Sequence, residues 1–253
     1  MSKHILVFDS GIGGTSVLRH IQKKIPEAHY SYLMDNKHLP YGELDSHFLS
    51  ERILKLLSYF VSTIGHVDML VVACNTASTQ TLDVLRSHFD FPIVGVVPAI
   101  KPAAERSGAG KVGLLATPAT TKNEYTKNLI KNFATNSEVY LYGSSALVRL
   151  AESLFWHGEC DEQSMKKEVE SLSINQDIDY LVLGCTHFPI IRKYLENCLP
   201  SSTKLIDSGE AIANRVYDLL GDANMLESKK QPLTYYATAA LQSNKLSVNY
   251  IDY

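Results

Sequence analysis

Two stretches of the chain, DMLVVAC at residues 68–74 and DYLVLGC at residues 179–185, share one pattern. Each begins with an aspartate, continues with apolar residues and ends on a cysteine. Short apolar runs bounded by polar residues are typical of buried strands in a parallel sheet. Other strand-like segments of the first half recur in the second half at nearly the same distance along the chain. KHILVF at residues 3–8 corresponds to KVGLLA at 111–116, residues 30–33 correspond to 139–142, and residues 93–94 correspond to 205–206. The recurrence indicates an internal duplication of one α/β unit.

Amphipathic stretches separate these strands along the chain. In residues 46–64, for example, apolar residues recur at helical spacing. Alternation of strands and helices predicts parallel strands with crossover helices. The predicted fold class is therefore α/β, with two pseudo-symmetric doubly wound parallel-sheet domains that face each other across a cleft. We expect residues 1–97 and about 208–253 to form the first domain, and residues 98–207 to form the second.

The composition argues against several functional classes. The 253-residue chain has a net charge of −3 and no basic excess to neutralise phosphates, so nucleic acid is not an expected partner. No apolar run approaches the roughly 18 residues that span a bilayer. We therefore expect no membrane association and a cytoplasmic location. The four cysteines include no C-x-x-C pair, which disfavours a disulfide scaffold and a structural zinc site.

The two strand-terminal cysteines, Cys74 and Cys185, are the strongest candidates for chemistry. A single free cysteine is most often a small buried hydrophobe. Both of these, however, come directly after strands, and open parallel sheets bind ligands beyond the carboxyl ends of their strands. We expect the helices after them to lower the thiol pKa, because a helix N-terminus favours the thiolate. Two thiols entering one cleft from opposite domains could remove a proton from one face of a bound molecule and return one to the other.

Polar residues in the neighbouring loops favour a ligand with ammonium and carboxylate groups. The FDSGIGG stretch at 8–14 lacks the G-x-G-x-x-G spacing of a dinucleotide fingerprint. Its glycines are instead expected to form a tight turn that aims Asp9 and Ser10 into the cleft. Asp9 could hold an ammonium group, orient a thiol or cap a helix. Thr117 and Thr120 occupy the corresponding loop of the second half, where their hydroxyls could receive a carboxylate.

These motifs resemble those of the cofactor-independent glutamate racemases. DSGIGGTSVL, PYGE, VVACNTAS, PIVGVVPAI and LGCTHFPII occur in the order typical of that family and cover residues 4 to about 210. The resemblance implies interconversion of L- and D-glutamate without a cofactor or metal, which supplies D-glutamate for peptidoglycan. One departure lies before the PYGE turn, where family members usually carry Gly-Asp-Ser/Thr-Ala-Arg. This chain reads MDNKHL, which keeps Asp35 but lacks the arginine.

The resemblance also implies a role for individual residues. Cys74 would deprotonate the D enantiomer and Cys185 the L enantiomer. Asp9 would support Cys74, and His187, together with Glu152, would support Cys185. Glutamate is the implied partner, and a homodimer is one expected assembly. The substrate contacts implied are Asp9, Ser10, Tyr41, Gly42, Asn75, Thr76, Thr117, Thr120, Glu152, Thr186 and His187.

Other functions stay open at this point. A racemase of aspartate or another acidic amino acid could use the same pair of thiols. A non-catalytic amino-acid-binding regulatory protein could share the scaffold, although a binder has no need of two thiols in its cleft. A decarboxylase or maleate isomerase that uses one thiol is disfavoured because both cysteines are present. A redox or metal protein is disfavoured because the cysteines lie in opposite halves without ligand spacing.

Overall fold

The structure, a computed structural model, describes residues 3–221 and 232–253 and contains two parallel sheets. In the first sheet the strand order is β10-β9-β2-β1-β3-β4, and in the second it is β6-β5-β7-β8. The strands are β1 (His4–Asp9), β2 (His29–Met34), β3 (Met69–Val72), β4 (Ile93–Gly95), β5 (Lys111–Ala116), β6 (Glu138–Gly143), β7 (Tyr180–Leu183), β8 (Lys204–Ile206), β9 (Thr234–Ala237) and β10 (Val248–Tyr250).

The two sheets repeat one topology. The order β2-β1-β3-β4 in the first sheet matches β6-β5-β7-β8 in the second, and every pairing between strands is parallel. The predicted fold class, two pseudo-symmetric α/β units with parallel sheets, is confirmed. The first sheet differs by two additional strands, β9 and β10, which extend it beyond β2.

Helices cover both faces of each sheet. We call the first sheet with α1–α3 and α10 the first lobe, and the second sheet with α4–α9 the second lobe. The helices are α1 (Thr15–Lys24), α2 (Ser46–Thr63), α3 (Asn75–His88), α4 (Ile100–Arg106), α5 (Pro118–Lys122), α6 (Glu124–Phe133), α7 (Ala146–His157), α8 (Glu162–Ser171), α9 (Arg192–Cys198) and α10 (Gly209–Leu220). None of the helices within residues 3–221 and 232–253 is long and apolar enough to cross a membrane.

Alternation along the central strands produces these layers. In β1, Ile5 and Val7 belong to the apolar cluster on the α1 and α10 face, whereas Leu6 and Phe8 belong to the cluster on the α2 and α3 face. Successive side chains of a strand point to opposite faces, so a continuously apolar strand is covered on both sides. The buried strands of both lobes are held in this way, and their carboxyl ends carry the polar loops.

The tail of the chain adds to the first sheet. β9 pairs with β2, and β10 pairs with β9. The helix expected after Ser208 is α10, which packs against α1. Of the first domain predicted from the sequence, residues 1–2 and 222–231 lie outside the described residues. The domain boundaries themselves stay a prediction.

Candidate active site

The two candidate cysteines occupy equivalent places. Cys74 stands two residues beyond the end of β3, and Cys185 two residues beyond the end of β7. Both are buried, with exposed fractions of 6% and 7%. The segments after them differ, because α3 begins directly after Cys74, whereas a 3₁₀ turn, Phe188–Ile191, separates Cys185 from the short α9. The expectation of a helix N-terminus after each cysteine is therefore correct only for Cys74.

The surroundings of Cys74 favour the neutral thiol. Burial and the nearby Asp9 carboxylate raise the pKa of Cys74 above its ordinary value, and a charge on Cys185 raises it further. The N–H of Ala77, in the first turn of α3, and the Ser10 hydroxyl, 3.9 Å from the sulfur, lower the pKa but do not offset burial. The expected lowering of the pKa is thus wrong for Cys74. The charge coupling also places the two thiols within electrostatic reach of each other.

Cys185 lies beside a buried ion pair. Its sulfur is 3.8 Å from Nδ1 of His187, and Nε2 of His187 is 2.7 Å from Oε1 of Glu152. Burial lowers the pKa of His187, but the contacts with Cys185 and Glu152 raise it well above its ordinary value. Burial likewise raises the pKa of Glu152, whereas His187, the Ile12 N–H and the Trp156 N–H lower it below its ordinary value. Cys185 is therefore in direct contact with the imidazole of a buried ion pair.

Asp9 joins the two lobes from the end of β1. Its carboxylate is fully buried and accepts hydrogen bonds from the Gly11 N–H at 2.8 Å and from the Thr186 hydroxyl at 2.9 Å. Burial raises the pKa of Asp9, and the opposing effects of His187 and of these hydrogen bonds do not offset it. The Ser16 hydroxyl donates to the Thr186 carbonyl at 2.9 Å, a second contact between the lobes. Ser16 was absent from the residues predicted from the sequence.

Three threonine hydroxyls, one from the first lobe and two from the second, converge near the start of α3. The Oγ1 atom of Thr76 is 2.9 Å from that of Thr117 and 3.2 Å from that of Thr120. The adjacent Asn75 is 4% exposed, and its Oδ1 atom has no hydrogen-bond partner among the described residues. Gly42, in the PYGE turn, packs directly against the side chain of Thr117. All the residues that the resemblance implies for substrate binding are buried.

The described conformation leaves little space beside Cys185. The cavity that Cys185 shares with Asn75, Thr186 and Ser208 has a volume of about 10 Å³. A volume of that size holds about one water molecule. An amino acid does not fit into this cavity.

The glycines of the DSGIGG loop let the second lobe approach the first. A Cβ atom on Gly13 would lie 2.8 Å from Cγ and 2.7 Å from Cε1 of the His187 ring. A Cβ atom on Gly11 would collide with the carboxylate of Glu152. His187 and Glu152 are buried and bonded to each other, so neither can turn away at low cost. Glycine is required here because of close approach across the lobes.

Arg52 forms a buried ion pair with Asp35 of the MDNKHL segment. From α2 it donates to both carboxylate oxygens of the fully buried Asp35, at 2.8 and 3.0 Å. The same carboxylate accepts hydrogen bonds from Tyr41 at 2.8 Å and Thr238 at 2.7 Å. Burial raises the pKa of Asp35, but these partners lower it below its ordinary value. In the sequence, the position of Arg52 next to Ile53, at the edge of the apolar stripe of α2, was the only signal that it pairs with a buried carboxylate.

Comparison with known proteins agrees with this geometry. The family model for Asp/Glu/Hydantoin racemase matches residues 10–216. The chain is 50% identical to a glutamate racemase of Shewanella sp. strain MR-7 over 222 residues, which cover 88% of this chain and 81% of that protein. It is 47% identical to the glutamate racemase of Proteus mirabilis strain HI4320 over 232 residues, covering 90% and 79% of the two chains.

Among solved structures, the fold is similar to that of Escherichia coli glutamate racemase in complex with L-glutamate and the activator UDP-MurNAc-ala. The TM-score is 0.87 with 41% sequence identity, and the match covers 96% of this chain and 91% of that one. The paired thiols, the fold and the extent of these matches lead to one conclusion: the chain belongs to the Asp/Glu/hydantoin racemase family.

Proposed function

We propose that this chain interconverts L-glutamate and D-glutamate by transferring protons at Cα between Cys74 and Cys185. The observation that carries the proposal is the placement of two buried thiols at equivalent strand ends, within electrostatic reach of each other. The relatives named glutamate racemase and the L-glutamate in the E. coli structure support glutamate as the substrate. The D-glutamate produced would serve peptidoglycan synthesis.

The reaction needs one thiolate and one thiol. From D-glutamate, the Cys74 thiolate accepts the Cα proton and becomes a thiol, while the electron pair stays on Cα. The Cys185 thiol then donates its proton to the opposite face of Cα and becomes a thiolate, which yields L-glutamate. The two cysteines exchange roles in the reverse direction. Cysteine suits both roles because its pKa can be tuned close to the operating pH.

The polar residues around the thiols have separate tasks in this proposal. The hydroxyls of Thr76, Thr117 and Thr120 would receive the substrate carboxylates and stabilise the charge that develops during proton removal. The unpartnered oxygen of Asn75 and the buried carboxylate of Asp9 are acceptors suited to the substrate ammonium. This ammonium would also offset the repulsion by Asp9 that raises the pKa of Cys74.

The direct test is racemisation by the purified chain with no cofactor added. Each enantiomer of glutamate and of aspartate is supplied separately, and chiral chromatography measures the opposite enantiomer. A parallel reaction in D₂O is monitored by proton NMR at Cα. Both are run with and without UDP-MurNAc-ala, because the E. coli structure contains that activator. We expect glutamate to react about ten to a hundred times faster than aspartate, the discrimination that one methylene provides.

The alternatives give different results in the same assay. Aspartate reacting as fast as glutamate or faster would show a racemase of another acidic amino acid. Binding of glutamate without exchange of the Cα proton, in the presence or absence of the activator, would show a non-catalytic binding protein. Either result contradicts the proposed function.

Alanine at position 13 is expected to slow racemisation of glutamate at least about a hundredfold. The added Cβ displaces the His187 ring and with it the contact to Cys185, and misplacement of a reacting group by about 1 Å costs roughly this factor. Initial rates of the Gly13→Ala variant with both enantiomers measure the effect.

Gly108→Ala is the matched control. A Cβ atom on Gly108 has no heavy atom within 4 Å, so this exposed residue accepts the methyl group. We expect the parent rate for that variant. A Gly13→Ala protein with the parent rate would mean that the close approach of His187 is unimportant for the reaction.

The cellular context and the assembly belong to the same proposal. We propose a cytoplasmic location, where glutamate and the precursors of peptidoglycan are available, and a homodimer, as expected from the resemblance. Analytical ultracentrifugation of the full chain, with and without glutamate, tests the assembly. A monomer at all concentrations would contradict the dimer without affecting the proposed reaction.

A further inference from the structure

Trp156 is the only tryptophan of the chain, and it crosses from one lobe into the other. It lies near the end of α7 in the second lobe. Its side chain is 6% exposed and belongs to the apolar cluster of the first lobe, together with Val17 of α1 and Val216 of α10. An indole ring in such a place contributes a large buried apolar area to the contact between the lobes. Separation of the lobes would withdraw the ring from this core.

The polar atom of the same ring is directed at Glu152, one helical turn earlier. Nε1 of Trp156 donates to Oε2 of Glu152 at 2.6 Å. The other oxygen, Oε1, accepts from the Ile12 N–H at 2.8 Å and contacts His187 at 2.7 Å. Since His187 in turn touches Cys185, one chain of contacts runs from the tryptophan to a candidate catalytic thiol. The carboxylate is thus fixed by three partners, of which two come from the second lobe and one from the first.

The loop at residues 238–247 holds the end of α7 from outside. It connects β9 and β10, which are parallel neighbours, without an intervening helix among its residues. The Ser243 hydroxyl donates to the carbonyl of Trp156 at 3.1 Å. The Lys245 ammonium donates to the carbonyl of Phe155 at 2.5 Å and lies 4.7 Å from the centre of its ring. A cation at these last carbonyls is favoured by the helix dipole.

We propose that Trp156 is a positioning residue of the racemase site, which holds Glu152 against His187 through its indole N–H while its ring is anchored in the apolar cluster of the first lobe. The inference rests on the proposed function and extends it. The indole N–H of α7 binds one oxygen of the Glu152 carboxylate, and the Ile12 N–H of the first lobe binds the other. The first lobe thus helps to place an ion pair whose two members, Glu152 and His187, both belong to the second lobe.

Loss of the indole N–H has a definite effect on the pH dependence. The groups that face Glu152 are His187 across the ion pair and, at longer range, Asp9 and Tyr32 of the first lobe. Without its bond to Trp156 the pKa of Glu152 rises, because that bond stabilises the charged form. A less charged Glu152 then supports His187 less, and the pKa of His187 falls. The pH range in which both groups are charged narrows from both sides.

The test compares the parent chain with Trp156→Phe over the full pH range of glutamate racemisation. We expect kcat/KM at the optimum to fall about tenfold. We also expect the acidic limb to move up by about one pH unit, which corresponds to the loss of one hydrogen bond to a charged group. If the phenylalanine variant folds poorly, 3-benzothienylalanine replaces Trp156 instead. This residue substitutes sulfur for the N–H and keeps the bicyclic ring, and we expect the same shift of the acidic limb.

Tyr30→Phe is the matched control. It removes a buried hydroxyl that donates to the carbonyl of Ile25 at 2.6 Å, in the turn between α1 and β2, and should leave both limbs of the pH profile in place. Unshifted limbs in both variants of Trp156 would reject the positioning role, even if their melting temperatures fell.

A second readout is independent of activity. The single indole N–H gives one proton NMR signal, which we expect to be protected from solvent exchange and to move on Glu152→Gln substitution. If the indole proton exchanges freely with solvent and its signal does not move on Glu152→Gln substitution, the inference is overturned, whether or not the chain racemises glutamate. A parent chain without racemase activity but with the expected indole signal would contradict only the proposed function.

Discussion

Serine in place of Cys74 or Cys185 is expected to lower glutamate racemisation at least about a thousandfold in both directions. General acid–base catalysis by one positioned group typically contributes about 10² to 10⁴ in rate. A serine hydroxyl nearly matches the thiol in shape but ionises far less readily, so it supplies neither the base nor the acid. Racemisation needs both groups in each turnover, and each single variant should therefore lose activity with both enantiomers.

Exchange of the Cα proton in D₂O assigns the two faces. In the Cys185→Ser variant, Cys74 is still able to exchange the proton of D-glutamate without inversion, and in Cys74→Ser the L enantiomer should exchange instead. Cys160→Ser and Cys198→Ser are matched controls, because both cysteines are only partly buried and lie outside the site. Near-parent racemisation of both enantiomers by either Cys74→Ser or Cys185→Ser would end the two-thiol mechanism.

Arg52→Leu is expected to lower the free energy of unfolding by about 3–5 kcal/mol at neutral pH. Removing one partner of a buried ion pair leaves an uncompensated buried charge, and costs of this size are typical. Asp35 is fully buried and Arg52 only 10% exposed, so solvent does not replace the lost partner. Tyr41, which donates to the same carboxylate, should lose its fixed position as well. Urea denaturation monitored by circular dichroism measures the difference.

The pH dependence of this loss has a definite sign. Without Arg52 the folded-state pKa of Asp35 rises, because burial then dominates. A carboxyl group whose folded pKa exceeds its unfolded pKa destabilises the fold above the unfolded value and no longer does so where both states are protonated. The difference between Arg52→Leu and the parent chain should therefore shrink as the pH is lowered toward 4 and below, roughly the range in which an unfolded aspartate titrates.

Two further variants separate the buried charge from general damage to α2. Asp35→Asn in the Arg52→Leu background removes the uncompensated charge and should recover part of the stability. Arg149→Leu breaks an exposed pair with Glu43, whose side chains are 55% and 46% exposed, and should change stability little. An equal loss in Arg52→Leu and Arg149→Leu would contradict the assigned role of Arg52.

Most of the fold was predictable from local patterns. Continuous apolar runs mark β1, β3, β5 and β7, because strands covered on both faces must be apolar throughout. The duplicated order of these runs predicted two similar sheets, which the topology confirms. The strands β9 and β10 were not predicted, since TYYA and VNY are short and only partly buried. Their conformation depends on pairing with β2, a contact across about 200 residues of sequence that no local pattern encodes.

The candidate site was likewise predictable in part. The motif residues at strand ends could be predicted to meet, because carboxyl ends of parallel strands share one edge of a sheet. The glycines were expected to form a turn, but the structure adds that Gly11 and Gly13 make room for Glu152 and His187 of the opposite lobe. The expected low pKa of Cys74 was wrong, because burial and Asp9 outweigh the helix N-terminus. The pKa of a buried group depends on the charges and hydrogen bonds that surround it in three dimensions.

By itself, the sequence determined the α/β class, the duplication, the racemase family and the two thiols, since strand periodicity and motif order are local properties of the chain. Only the tertiary structure decided that Arg52 meets Asp35 and that the Trp156 ring enters the core of the other lobe. The physical reason is that electrostatic and packing energies depend on distance in space and on burial, and both are set by how the two lobes close on each other.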